Sequence, residues 1–262
     1  MKIKMEIEYD GNDFYGWQIQ KDFITVQGEI EKALKKIFLV NIRIKGASRL
    51  DRGVHAISQV AHFEISKKFF KRFFKSLEDF KKSLNSILPD SIYIKNVEIE
   101  KDDFHARFSA KGKIYIYKIF LGRSPLKRKY FWEIDHKIKI RSLYKMAEFI
   151  KGKRDMSKWS PSHKGDGTCN IFDAGWKKRG NILIFYIAGN RFLNKLIRSL
   201  VGNMIFLSKE GNYLKFKEYI EKGPEKIIIA PPNGLYLYKV FYKKYDKKEI
   251  ENYIKKIKFI VI

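Results

Sequence analysis

The sequence predicts an α+β protein made of two halves that share one order of elements, β-α-β-β-α-β. Three observations support this fold class. The chain opens with alternating charged and apolar residues, which is typical of a half-buried strand. Stretches of helical periodicity then alternate with single and paired strand-like stretches. The same order returns later in the chain, which gives predicted halves at residues 1–105 and 106–262.

The elements of the first half follow from periodicity and from residues that begin or end helices. Ile3 and Met5 share one face of the opening strand, while lysine and glutamate occupy the other face. Thr25 is a suitable N-cap for the first helix, and Pro89 must follow the end of the second. The predicted elements are a strand at 2–9, a helix after Thr25, strands at 42–45 and 57–65, a helix carrying Leu77, Phe80, Leu84 and Ile87, and a strand at 91–99.

The second half repeats this order with one additional short helix. Gly152 is expected to end its first helix. The segments KRKYFW and SPSHKGDGTCN are expected to be surface loops. The predicted elements are a strand at 113–121, a helix at 141–151, strands at 168–178 and 181–188, helices at 191–208 and 214–222, and a strand at 235–242. Each half therefore has the element order of a ferredoxin-like unit with an antiparallel sheet.

The charge of the chain is strongly positive and indicates a polyanionic partner. Its 262 residues contain 55 lysines and arginines against 29 acidic residues, a formal charge of +26. Residues 1–100 carry about +4 of this charge and the remainder about +22. Nucleic acid is the first candidate partner, because solubility alone needs a much smaller charge. A lysine-rich or heat-adapted proteome is the alternative explanation.

Cysteine content and hydropathy indicate a protein of the cytoplasm. Cys169 is the only cysteine, so neither an intrachain disulfide nor a cysteine-based zinc site is expected. The N-terminal residues alternate in polarity where a signal peptide would need an apolar core, and no run of 18 apolar residues occurs. No polybasic run flanks an apolar segment, so a membrane partner is not expected.

The segment ASRLDRGVHAISQVAHFE, residues 47–64, contains the most distinctive carboxylate of the chain. It places Asp51 between Arg49 and Arg52 at a turn that leads into a strand. Neighbouring cations favour the ionised form of a carboxylate, so Asp51 could act as a nucleophile or a base without a metal ion. A structural salt bridge at a turn is the alternative interpretation.

Other catalytic classes lack their sequence signatures. The chain has no phosphate-binding glycine loop, no dinucleotide fingerprint, no H-E-x-x-H and no G-x-S-x-G. His55 and His62 could join Asp51 as metal ligands, but hydrogen-bonded packing histidines are the favoured interpretation. No metal and no other cofactor is therefore expected.

The Asp51 segment resembles the catalytic motif of the TruA family of tRNA pseudouridine synthases. Five further segments resemble that family in the same order: EYDGNDFYGWQIQ and TVQGEIEKAL near the start, FHARFSAKGKIYIY in the middle, NRFLNKLIRSLVG later, and APPNGLYLYKV near the end. Ser48 and Leu50 depart from the glycine and threonine that are usual beside the aspartate. These departures leave the aspartate itself unchanged.

The resemblance implies roles for individual residues. Asp51 would be the essential carboxylate, Tyr115 the aromatic ring that stacks on the target uracil, and Arg198 the cation that pairs with Asp51. Arg49 would occupy the space of the flipped-out nucleotide, and Leu237 would lie beneath the base. Arg52 and Arg107 lie in matching segments and are expected to contact RNA.

The resemblance implies conversion of uridine to pseudouridine in tRNA, at anticodon stem-loop positions next to the loop. The active site is expected in a cleft between the two halves, and the protein is expected to be a homodimer that holds one tRNA. The target nucleotide must leave its stack, so a wedge and a stacking platform are required. A non-catalytic RNA-binding protein and a nucleic-acid chaperone are the alternatives from other classes.

Overall fold

A computed structural model of the chain describes residues 1–161, 164–243 and 246–257, which form ten strands and seven α-helices. The described residues fall into two compact units. The first unit contains residues 1–111 and 236–243, and the second contains residues 112–235 and the C-terminal segment. The predicted α+β class is confirmed. The ferredoxin-like description of the halves stays a prediction.

The first unit contains most of the elements that its part of the sequence predicts. They are β1 (Lys2–Tyr9), α1 (Val26–Phe38), β2 (Lys45–Gly46), β3 (His55–Glu64), α2 (Lys67–Phe70), α3 (Leu77–Asn85) and β4 (Ile92–Glu100). β1 lies between β3 and β4 and is antiparallel to both. The Thr25 hydroxyl accepts a hydrogen bond from Gly28 N and begins α1, as predicted.

The second unit is built around a sheet in which β5, β9, β8 and β7 are consecutive antiparallel neighbours. The short strand β6 pairs in parallel with the end of β5. Its elements are β5 (Gly112–Leu121), β6 (Trp132–Ile134), α4 (Ile140–Ile150), β7 (Gly152–Asp155), β8 (Thr168–Arg179), β9 (Ile182–Gly189), α5 (Leu196–Ser208), α6 (Tyr213–Lys222) and α7 (Lys247–Lys256).

The last strand, β10 (Leu235–Phe241), completes the sheet of the first unit. It runs parallel to β3, with Tyr236 opposite His55 and Leu237 opposite Ala56. Two further contacts bind it to this unit: Lys239 Nζ lies 3.2 Å from Glu6 Oε1, and Lys111 N donates to Phe241 O. The first unit therefore consists of two stretches that are far apart in the chain.

Several boundaries differ from the sequence prediction for local reasons. The predicted strand at 42–45 is only a two-residue strand at 45–46. The helix expected from residue 191 begins at Leu196, because Lys195 has a left-handed backbone with φ of 60°. α2, β6, β7 and α7 were not predicted. The first three are too short to show a clear period, at three or four residues each.

The predicted surface loop at 160–170 includes residues 162 and 163, which lie outside the described residues. Among the helices that are described, none combines the length and the apolar character needed to cross a membrane.

Candidate active site

The loop between β2 and β3 carries Asp51 and is fixed at its base by a buried glutamine. The Gln59 side chain donates through Nε2 to Ser48 O at 2.8 Å and accepts from Ser48 N at 3.3 Å. Beside it, Ala47 N donates to Val60 O at 2.8 Å. Gln59 is completely buried, so these hydrogen bonds form away from water and hold the loop against β3.

The tip of this loop is held by the chain segment that precedes α1. Trp17 N donates to Leu50 O at 3.0 Å, and Val54 N donates to Asp51 O at 3.1 Å to close the turn. A Cβ atom on Gly16 would lie 2.6 Å from Leu50 O, and Gly16 has φ of 95°. Only glycine therefore fits here, and the backbone of Asp51 is fixed from both sides.

Both departures from the usual family motif are buried positions. Ser48 and Leu50 are less than one-tenth exposed, while Asp51 between Leu50 and the turn is half-buried. Both side chains therefore contribute to the packing of the loop, and neither departure changes the position of Asp51 in the chain.

The two flanking arginines lie on the surface in different settings. Arg49 is exposed, and Arg52 is exposed with its guanidinium carbon 4.1 Å from the centre of the Tyr15 ring. Tyr15 in turn stacks on Phe23 at a centroid distance of 4.3 Å and an interplanar angle of 29°. The residue that follows Asp51 thus joins two aromatic rings of the segment before α1 in a continuous stack of a cation and two rings.

His55 begins β3 and connects the end of the loop with β10. Its Nδ1 lies 3.1 Å from both Gly11 N and Asp10 Oδ1. The imidazole stacks on Tyr236 at 4.6 Å and 17°. Leu237, the next residue of β10, is completely buried in the first unit.

His62 is a packing histidine, which agrees with the favoured sequence interpretation. Its Nδ1 accepts a hydrogen bond from Ala106 N at 3.1 Å, and its ring lies 4.9 Å from that of His105. Burial, followed by the charge of His105, lowers the pKa of His62 to about 4.

Arg107, two residues beyond His105, is exposed, and its guanidinium carbon lies 5.6 Å from the Phe108 ring centre.

Tyr115 lies on β5 of the second unit. It is 5% exposed and meets the ring of Phe192 edge to face, at a centroid distance of 5.2 Å. Three residues further along the strand, burial lowers the pKa of Lys118 to about 8. Side chains alternate between the two faces of a strand, so Lys118 lies on the face of β5 opposite to Tyr115 and its lowered pKa reflects burial there.

Arg198, on α5, is hydrogen-bonded to the segment that leads into β10. Its Nε donates to Ala230 O at 2.8 Å, and Ala230 N donates to Arg198 O at 3.0 Å. Gly202 allows the close approach, because a Cβ atom there would lie 2.1 Å from Ile228 O. The Tyr117 hydroxyl donates to Pro231 O at 2.7 Å, so the same segment is held from a second side.

The predicted site residues thus fall in both compact units. Asp51, Arg49, Arg52, Arg107 and Leu237 belong to the first unit, and Tyr115 and Arg198 belong to the second. Sequence reasoning missed the supporting residues Gly16, Trp17, Tyr15 and Phe23. A signal was available for the first three, since a glycine between two aromatic residues in the segment FYGW suggests a backbone with a close contact.

Within the described parts of the chain, no group of three or more histidine, cysteine or carboxylate side chains could hold a metal ion. The expectation that no metal is required stays a prediction.

Comparison with known proteins identifies the family. A family model described as tRNA pseudouridine synthase matches residues 5–109 and 146–243. A tRNA pseudouridine synthase A of Dictyoglomus turgidum is 38% identical over 245 residues, covering 91% of this chain and 98% of that protein. A tRNA pseudouridine synthase A of Thermoanaerobacter sp. (strain X514) is 36% identical over 252 residues, covering 92% and 99%.

These matches extend over nearly the whole of each relative. The chain therefore belongs to the tRNA pseudouridine synthase family and is an enzyme of that class, an isomerase that modifies RNA.

Proposed function

We propose that this enzyme isomerises uridine to pseudouridine in the anticodon stem-loop of tRNA, next to the loop, and that Asp51 is its essential carboxylate. The observation that carries the proposal is the fixed backbone around Asp51. Hydrogen bonds from Trp17 N and Val54 N hold both sides of this residue. A half-buried carboxylate on a rigid loop is pre-organised for chemistry and gains little from binding a polyanion.

The reaction is compatible with the residues of the chain. The bond from ribose C1′ to uracil N1 breaks, the base turns, and a bond from C1′ to C5 forms. The proton at C5 leaves and N1 gains a proton, so no oxidant or reductant is consumed. One ionised carboxylate that acts as nucleophile or base is enough for this exchange.

The other site residues support the reaction through binding and charge. We propose that Tyr115 stacks on the target uracil, that Arg198 provides the positive charge for Asp51, and that Arg49 occupies the space of the extruded nucleotide. The stack of Arg52 on Tyr15 offers a further surface for a base or a phosphate. Leu237 and Arg107 would contact the base and the RNA, respectively. The enzyme is proposed to act in the cytoplasm as a homodimer.

The test is an Asp51→Asn variant in a single-turnover assay that measures tritium release from C5-labelled uridine in tRNA. We expect less than a few per cent of the wild-type rate, with tRNA affinity within a few-fold, because the amide keeps the shape and removes the charge. Asp13→Asn is the matched control, since Asp13 is an exposed aspartate of the same unit.

Two results would contradict the proposal. Substantial activity in Asp51→Asn would remove the role of the carboxylate. Tight tRNA binding by the wild-type protein without any pseudouridine formation would instead favour the non-catalytic RNA-binding alternative.

A further inference from the structure

A short basic segment that follows β3 has no role in the proposed reaction. Residues 66–76 contain no acidic residue, and their five cations are all exposed. We call these five residues the basic ridge: Lys67, Lys68, Lys71, Arg72 and Lys75. Residues 1–100 carry only about +4 in total, so without the ridge this stretch would be close to neutral.

Phenylalanines fix the ridge to the core of the first unit. The segment alternates pairs of cations with pairs of phenylalanines, and Phe70 is only 5% exposed. Phe70 and Phe74 lie 5.6 and 5.3 Å from the buried ring of Phe80, measured between centroids. Phe73 meets the buried ring of Phe38 at 5.3 Å. The backbone that carries the cations is therefore held in place by packing.

Local hydrogen bonds add to this rigidity. The Ser66 hydroxyl caps α2 by accepting from Phe69 N at 3.0 Å. Beyond α2, Arg72 N donates to Phe69 O and Phe74 N donates to Phe70 O, each at 3.1 Å. The ridge thus presents its charges from an ordered turn, which lowers the entropic cost of binding a ligand.

The ridge cations differ from many other lysines of the chain in having no acidic neighbour. In the part of the chain that the structure describes, no carboxylate forms an ion pair with any of the five. By contrast, Lys32 pairs with Glu29 at 2.7 Å and Lys81 pairs with Glu78 at 2.8 Å. A cation without an acidic partner gains the most from a phosphate group, because it has no ion pair to break.

The chemistry of the segment favours RNA phosphates over a membrane surface. An interfacial helix needs a broad apolar face to insert between lipids. Here Phe69, Phe70 and Phe74 are buried or half-buried, and only Phe73 is more than one-third exposed, at 38%. The five cations therefore dominate the exposed surface of the segment, which has no broad apolar face.

The position of the ridge indicates that it contacts the RNA at a distance from the target uridine. It follows the end of β3, whereas the Asp51 loop precedes the start of the same ten-residue strand. A strand of this length spans roughly 30 Å, at about 3.3 Å per residue. We propose that the basic ridge binds backbone phosphates of the tRNA at a distance from the target uridine, so that it contributes affinity and leaves the chemical step unchanged. This inference rests on the proposed function for the identity of the RNA.

The test compares two triple variants that remove the same charge. The ridge variant is Lys68→Gln/Lys71→Gln/Lys75→Gln, and the control is Lys32→Gln/Lys81→Gln/Lys215→Gln, whose lysines all have carboxylate partners. Fluorescence titration with labelled tRNA measures Kd between about 50 and 200 mM salt. Single-turnover assays at saturating enzyme measure the chemical rate.

We expect the ridge variant to flatten the slope of log affinity against log salt by about 2, since each phosphate contact contributes about 0.7 to 0.9. Its Kd should rise at least tenfold in low salt, while its saturated rate stays within twofold of wild type. The control variant should change the slope by less than about half of the change expected for the ridge variant. A charge-conserving variant with arginine at the same three ridge positions should restore the affinity.

Equal slopes and equal Kd values for the ridge variant and the control would overturn the inference. Loss of binding to phosphatidylserine vesicles with unchanged tRNA affinity would show that the ridge is a membrane site instead. Because Kd reports binding and not the chemical step, a weakened ridge variant together with an active Asp51→Asn variant would contradict the proposed catalytic role alone.

Discussion

His62 couples the stability of the first unit to pH. Its pKa is lowered to about 4 by burial and by the neighbouring charge of His105, against an ordinary value of 6.5. Between these two values the unfolded chain binds a proton that the folded chain does not. The free energy of unfolding should therefore fall as pH decreases from 6.5 to about 4, by at most about 1.4 kcal/mol per pH unit for one proton.

A His62→Gln variant should have a flatter pH dependence in this window. Glutamine can still accept a hydrogen bond from Ala106 N, but it has no proton to gain. Urea unfolding at a series of pH values measures the effect, with the exposed His136→Gln as control. A slope identical to that of the wild type would contradict the role of His62. His105, whose pKa is also lowered by burial, should account for part of the remaining slope.

At the residue scale, sequence reasoning could select side chains but could not select the contacts that hold them. Asp51 was identifiable because two arginines and a turn glycine surround it. The segment FYGW indicated a close backbone contact at Gly16, but it could not indicate that the partner is Leu50, which lies 34 residues further along the chain. The role of Gln59 was not identifiable either, because its side chain acts on backbone atoms of Ser48 and no sequence pattern specifies such a contact. The burial of Leu50 could not be predicted for the same reason.

At the element scale, α5 packs closely against the segment that leads into β10. An alanine at Gly202 would ordinarily favour a helix by about 1 kcal/mol. Here its Cβ atom would approach Ile228 O to 2.1 Å, so the segment must move away from the helix. We expect Gly202→Ala to lower the melting temperature and the single-turnover rate, since the hydrogen bonds between Arg198 and Ala230 would be strained.

The exposed Phe206→Ala on the same helix is the control for this prediction, and it should change both quantities little. A Gly202→Ala variant that is more stable and fully active would show that the close approach has no consequence.

Elements with a long, regular period were predictable, and those defined by distant partners were not. β1 and α1 were predicted with their correct starts because alternation and a capping threonine are local signals. The late start of α5 depends on one left-handed residue, Lys195, and a lysine gives no indication of that backbone. The parallel pairing of β10 with β3 joins residues from opposite ends of the chain, so no local pattern could indicate it.

At the scale of the whole molecule, the charge of +26 should make tRNA binding strongly dependent on salt. Each phosphate that a lysine or arginine neutralises releases counterions. We expect affinity to fall by at least about tenfold between 50 and 200 mM salt. Titration of the wild-type protein with labelled tRNA measures this dependence. An affinity that does not change with salt would mean that the excess of lysine reflects composition and not a polyanionic partner.

The division of the first unit between the two ends of the chain has a consequence for biosynthesis. Residues 1–111 leave the ribosome early, but β10, the strand that lies beside β3, ends only at Phe241. At about 5 to 20 residues per second, this partner strand follows on the order of ten seconds later. Until then the hydrogen-bonding edge of β3 that β10 will occupy is exposed, and such edges tend to associate with other chains. The first unit, most of which is translated before residue 112, is thus among the last parts of the enzyme to be completed.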